Sequence, residues 1–258
     1  MTTVNDILQY LETIAPSSMK MDWDNVGLLC GSKTNAVTKV LVALDPFEGV
    51  CREAANWGAE LIVTHHPLIF HGPKAITDET SIGRCIQLLC ANGISAINAH
   101  TNLDCAPGGV NDVLAETLGL SDITPIPYGD GDTALLRYGM VEDQSMDTFL
   151  AHVKRTLGCA GLRYVSSGKP VHKVAVGGGG CADGILDAFA AGCDTFVTAD
   201  VKYNQFWDAH DLGLNIVDAG HFATENPVIS VVAEKIAARF PEIEVKISET
   251  HGDCMKFY

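Results

Sequence analysis

Short apolar runs alternate with stretches of helical periodicity along most of the chain. Val4, Ile7, Leu8, Leu11 and Ile14 recur at helical spacing behind Thr3-x-x-Asp6, which has the form of a capping box, and Pro16 ends that helix. Val40–Leu44 is a compact apolar run. A helical stretch follows from Glu48 to Trp57, then Leu61–Val63, a helix around Ile82–Ala91, and Ile94–Ile97. Continuous apolar strands separated by helices predict a largely parallel sheet covered on both faces.

The middle of the chain is less regular. Pro125–Asp132 is rich in turn residues and marks an expected domain boundary. Beyond it, Ala134–Val141 reads as a strand and Met146–Leu157 as a helix. The alternation then resumes with Val174–Val176, a helix near Gly184–Ala191, Thr195–Val197, a helix near Tyr203–Asp211 and Leu214–Val217. A helix from about Glu225 to Arg239 and a strand Glu244–Ile247 close the pattern. The fold class expected is α/β with two subdomains: residues 1–125, completed by 226–258, and residues 126–225. No short-period repeat and no low-complexity segment interrupts them.

Composition narrows the function classes. With 258 residues and 47% hydrophobic side chains, the chain can bury a core without staples. Its formal charge of −15, with no run of Lys or Arg, disfavours general nucleic-acid binding. Nine cysteines, none in CxxC spacing and most set among small apolar residues, read as free thiols in a reducing compartment. The first residues carry acidic and polar side chains and lack the form of a signal peptide. Apolar runs are too short for a membrane helix. A cytoplasmic protein with no membrane partner is expected.

Three segments carry the chemistry, each just after an apolar strand: Thr64-His65-His66, Ala99-His100-Thr101-Asn102-Leu103-Asp104, and Asp218-Ala219-Gly220-His221-Phe222-Ala223-Thr224-Glu225. The carboxyl ends of strands in open parallel sheets are where ligands bind. Four of nine histidines fall in these segments. Adjacent His65 and His66 diverge from the backbone and could serve two ions rather than chelate one. His221 and Glu225 form an i,i+4 pair that shares one face if a helix begins near His221. Five side chains, His65, His66, Asp104, His221 and Glu225, would hold two divalent ions with positions left open for water or substrate; mixed His and carboxylate ligands suit Zn, Fe, Mn or Ni.

Each feature has a plainer reading when taken alone. A His-His pair can be an ordinary loop feature, Asp104 a turn or cap residue before Pro107-Gly108-Gly109, and His221 with Glu225 a helix-start pair. Gly177–Gly180 follows a strand and precedes a helix, so its amides could cradle an anion or simply form a tight turn. It matches neither the dinucleotide nor the P-loop pattern. Asp22–Leu28 is a polar-aromatic segment in which Trp23 is expected to be anchored by packing and the acids to cap or line a cleft.

Together these segments resemble the Nif-three-like family, whose members are often labelled GTP cyclohydrolase I type 2 homologues. The shared stretches are Asp22–Gly31 (DWDNVGLLCG), Thr64–Phe70 (THHPLIF), Ala99–Asp104 (AHTNLD), Gly109–Asp112 (GVND), Val174–Gly180 (VAVGGGG), Thr198–Tyr203 (TADVKY) and Asp218–Glu225 (DAGHFATE). The resemblance implies a dinuclear metal site on His65, His66, Asp104, His221 and Glu225. It also implies two α/β subdomains with the metals in the cleft between them, and a ring-shaped homohexamer. Where relatives carry a histidine after Lys-Tyr this chain has Asn204, and where they carry the glycine of a TGD it has Ala199. The domain that longer members insert in mid-chain has no counterpart here.

The function expected is a metal-dependent hydrolase acting on a small nucleotide-like or phosphate-containing substrate. His100 would orient Asp104 or shuttle protons, and Asp218 would fix a ligand imidazole. Lys202, Tyr203 and the glycine loop are candidates for substrate contact. The alternative is a metal-delivery protein or assembly scaffold without turnover.

Overall fold

The computed structural model describes residues 1–128 and 134–258. The chain divides into two compact units, one of Met1–Ala106 with Ile229–Gly252, the other of Pro107–Val228 with Asp253–Tyr258.

The first unit is built on a five-stranded sheet. Its strands are β1 (Gly27–Cys30), β2 (Lys39–Ala43), β3 (Leu61–Thr64), β4 (Ser95–Asn98) and, from the far end of the chain, β11 (Glu244–Ile247), in the order β1-β4-β3-β2-β11. Strands β4, β3, β2 and β11 are parallel and β1 runs antiparallel at the edge. Helices α2 (Glu48–Trp57) and α3 (Ser81–Ala91) are the crossovers of a βαβαβ unit. Leu41, Ala43 and Ile62 pack with Val50, Cys51, Ala54, Ile86 and Leu89 on their side of the sheet. The alternate strand residues Val42 and Val63 face an apolar space shared with Leu11 of α1 (Val4–Ile14) and with Ile229 and Val232 of α10 (Pro227–Arg239). The expected capping box on α1 forms, with the Thr3 hydroxyl accepting from the Asp6 amide and Asp6 accepting from the Thr3 amide.

The second unit carries a six-stranded sheet of β5 (Ser121–Ile126), β6 (Leu136–Gln144), β7 (Arg163–Val165), β8 (Val171–Val176), β9 (Thr195–Thr198) and β10 (Asn215–Asp218), ordered β5-β6-β8-β9-β10-β7. Its centre, β8-β9-β10, is parallel and linked by α7 (Ile185–Ala190) and α8 (Tyr203–Leu212), while β5, β6 and β7 add antiparallel edges. Val174, Val176, Val197 and Val217 pack with Leu114 and Leu118 from the stretch around α5 (Val110–Thr117) and with Phe149 and Val153 of α6 (Met146–Leu157).

The apolar runs thus form the parallel centres of both sheets. The boundary lies earlier than the turn-rich 125–132 segment, of which 129–132 fall outside the described residues. The stretch from Pro107 joins the second unit because β5 pairs with β6 and α5 packs under the same sheet. All nine cysteines are free. Cys90 and Cys254 are exposed, Cys30 is half-buried and six are buried. Among the described residues no helix is long and apolar enough to cross a membrane.

Candidate metal centre

In the first unit the histidines emerge where β3 and β4 end. Strand β3 stops at Thr64, so His65 and His66 leave the sheet at its carboxyl edge. Strand β4 stops at Asn98, and the five-residue helix α4 (Thr101–Cys105) follows with His100 at its N-cap and Asp104 buried in it. The ring centroids of His65, His66 and His100 lie 5.0, 5.1 and 5.5 Å apart. One ligand atom from each comes within 4.8 Å of the others, so these three side chains could hold a metal ion. Nε2 of His65 is also 3.5 Å from Oδ1 of Asp104.

Each of these imidazoles is held from behind. Nδ1 of His65 lies 2.9 Å from the Ala99 carbonyl oxygen, Nδ1 of His66 lies 2.7 Å from Oδ1 of Asp45, and Nδ1 of His100 lies 2.9 Å from Oδ1 of Asp24. A carbonyl or ionised carboxylate only accepts, so each Nδ1 carries a proton. Asp24 is buried, which alone would raise its pKa. Hydrogen bonds from His100 and from the Thr101 hydroxyl and amide outweigh that and hold the carboxyl well below its usual range, as an acceptor.

The second unit repeats the arrangement. After β10, the five-residue helix α9 (His221–Glu225) begins at His221. That start puts His221 and the buried Glu225 on one face, with Nε2 to Oε2 at 3.1 Å. Nδ1 of His221 donates to Oδ2 of Asp200, 2.7 Å away, from the loop after β9. The imidazole and the carboxylate thus stand side by side, and mixed His and carboxylate donors are a set that suits a divalent metal.

The glycine loop lies against this pair. The Gly177 amide donates to Val197 O, the Gly178 amide to Asn111 Oδ1 and the Gly179 amide to Thr224 Oγ1, so these donors are spent inside the protein and do not form an anion cradle. A Cβ on Gly179, whose φ is +63°, would sit 2.0 Å from Oε1 of Glu225 and 2.9 Å from Nε2 of His221. The run is glycine because the backbone passes over the Glu225 carboxylate.

Sequence reasoning assigned the bracing of a ligand imidazole to Asp218. The structure gives that position to Asp200. Asp218 instead accepts from the Val201 and Gly220 amides and from the Arg163 guanidinium. The partners of His66 and His100 carry a weaker sequence signal: Asp45 directly follows the apolar run Val40–Leu44, and Asp24 lies within the DWDN segment. Trp23 is 61% exposed and is not anchored by burial. Tyr203 is exposed too, and Asn204 lines a surface groove with Asp183 and Asp208.

The comparisons with known proteins match the geometry. The family described as Duf34/NIF3 (NGG1p interacting factor 3) matches residues 2–253. The chain belongs to this NIF3 family. A relative from Clostridium perfringens named GTP cyclohydrolase 1 type 2 homolog is 38% identical, covering 98% of this chain and 99% of its own length. The crystal structure of a Bacillus cereus protein related to NIF3 superposes with a TM-score of 0.92 at 27% identity, covering 100% of this chain and 99% of that one. Reduced HcgD from Methanocaldococcus jannaschii gives 0.83 at 29% identity over 96% of this chain and 98% of its own. This NIF3-family chain shares the two-sheet α/β fold across nearly its whole length.

Proposed function

We propose that this NIF3-family protein is a metal-dependent hydrolase in which His65, His66, Asp104, His221 and Glu225 hold two divalent ions. The observation that carries the reading is the convergence of His65, His66 and His100, one ligand atom of each within 4.8 Å of the others, with Nδ1 of each set against a carbonyl or carboxylate oxygen.

A bound divalent ion supplies Lewis acidity and makes water a better nucleophile near neutral pH. The chain's own part is positional. Asp45 and Asp200 keep His66 and His221 in one tautomer, the Gly177–Gly180 backbone leaves room for Glu225, and Asp24 holds His100 beside His65 and His66. His100, protonated at Nδ1, can accept or return a proton at Nε2 during turnover. The name of the Clostridium perfringens relative supports a nucleotide-like substrate. A phosphate-bearing small molecule fits the same chemistry. Assembly as a homohexamer and a cytoplasmic location belong to the same proposal, and light scattering tests the first.

The experiment measures metal content and hydrolysis of nucleotides and phosphoesters on the same preparations. Asp104→Ala loses both metal and turnover. His100→Ala keeps most of the metal and loses turnover. Fully metallated protein that hydrolyses none of the panel, with both substitutions altering only metal affinity, would favour metal delivery without catalysis.

A further inference from the structure

Two aromatic side chains stand exposed in the first unit at the edge of the histidine cluster. Trp23, in the turn before β1, is 61% exposed, and Phe70, in the loop after β3, is 40% exposed. Their ring centroids are 5.7 Å apart at an interplanar angle of 60°. Both also abut His100, at 6.3 Å for Trp23 and 6.1 Å for Phe70. The rings of His65, His66, His100, Trp23 and Phe70 therefore form one continuous set that runs from buried to exposed.

The two loops that carry the outer rings are tied together. Asn25 Nδ2 donates to the Ile69 carbonyl at 2.6 Å, and the Asn25 carbonyl accepts from Asn98 Nδ2 at 3.1 Å. Asp24, next to Trp23, accepts from His100 and from both donors of Thr101. The neighbours of both rings are thus fixed, although the rings themselves reach water. Exposed aromatics cost free energy in water, and the polar contacts around them would hold the loops equally well with smaller side chains at 23 and 70. A pre-positioned aromatic wall beside a polar site recovers that cost when a flat ring covers it.

We infer that Trp23 and Phe70 form the stacking wall for a planar heteroaromatic ring of nucleobase type, which places the substrate's ring next to His100. The inference deepens the hydrolase proposal by naming the part of the substrate held and the residues that hold it. Stacking is sequence-tolerant and does not require ring-specific hydrogen bonds. A ring against Trp23 and Phe70 would lie next to His100, whose centroid is 5.5 Å from that of His66.

The test is equilibrium dialysis of adenosine, guanosine and uridine, with ribose as the non-aromatic control. It uses metal-reconstituted wild type, Trp23→Phe, Trp23→Leu and Phe70→Leu, with metal content and thermal midpoint recorded for each. Base–aromatic stacking changes affinity by about 5- to 150-fold. At least one nucleoside should bind wild type far above ribose. Its Kd should rise about tenfold or more in Trp23→Leu and Phe70→Leu, and stay within about threefold in Trp23→Phe, with metal content and thermal midpoint unchanged. Binding of no nucleoside above the ribose level, or equal affinity in wild type and Trp23→Leu, would overturn the inference. Trp23-dependent binding in protein that takes up no metal would keep the stacking wall and remove the hydrolase reading. Metal uptake with no ring binding would do the reverse.

Discussion

Nδ1 of His221 lies 2.7 Å from Oδ2 of Asp200, a residue whose φ is +55°. Outside glycine such a backbone costs about 1 kcal/mol or more, and it recurs where structure is spent on function. Asp200→Asn keeps the shape and tolerates the same backbone, but removes the charge that fixes the imidazole proton. Metal affinity should fall by about 10- to 100-fold with little change in folding stability. Metal retention against a graded series of chelators checks this, and retention equal to wild type would show that Asp200 does not set the ligand.

Gly179 and Gly58 separate backbone strain from steric conflict. Both have positive φ, at +63° and +76°, but an added Cβ on Gly58 meets nothing within 4 Å while one on Gly179 meets the Glu225 carboxylate. Gly58→Ala should cost about 1–2 kcal/mol in urea denaturation. Gly179→Ala should cost about 3 kcal/mol or more and also reduce bound metal, because Glu225 must move. Equal losses in the two variants would mean that the loop yields to the methyl group without disturbing Glu225.

Glu53 makes part of the stability acid-sensitive. Burial would raise its pKa, but donors from Ser248, Glu249 and Thr250 outweigh burial and lower it from 4.5 to about 2. A depressed folded-state pKa contributes fully above the unfolded value and is lost as pH falls through the folded one. The stability gap between wild type and Glu53→Gln should therefore be constant above pH 4.5 and shrink towards pH 2. Urea midpoints at neutral pH and at about pH 3 measure it. A gap unchanged across that range would remove the carboxylate from the explanation.

Arg137 and Asp112 pair in the second unit with side chains only 3% and 17% exposed. Removing one partner of such a pair costs more than replacing both with apolar side chains. Asp112→Ala should cost about 3 kcal/mol, and the double variant Asp112→Ala/Arg137→Met should be less destabilised than the single one. Calorimetric midpoints decide between this and simple additivity.

The parallel centres of both sheets were legible because buried strands write themselves as unbroken apolar runs. Val40–Leu44, Leu61–Val63 and Thr195–Val197 each lie in or within one residue of a strand. The antiparallel edges were not. Strand β5 contains Pro125 and has mostly exposed or half-buried positions, and β7 is three residues with two exposed, so neither shows periodicity. The histidines could be placed at strand ends from spacing alone. Their braces could not, because Asp24 reaches His100 across 76 positions, and Asp45 and Asp200 are 21 positions from the histidines they hold. The GVND segment illustrates the same gap. Its asparagine fixes the glycine loop through the Gly178 amide and its aspartate holds Arg137, contacts that only the folded chain brings together.

Strand β11 pairs in parallel with β2, Glu244 opposite Lys39 and Ile247 opposite Val42. During synthesis, therefore, the sheet begun first is finished last. Until the ribosome has delivered β11, the outer edge of β2 stands open with its amides and carbonyls unpaired, and α10 is not yet there to cover Val42 and Val63. All six strands of the other sheet already exist by then. A chain truncated after residue 228 would thus carry all six strands of the second sheet, while the first sheet keeps a bare, apolar, aggregation-prone flank.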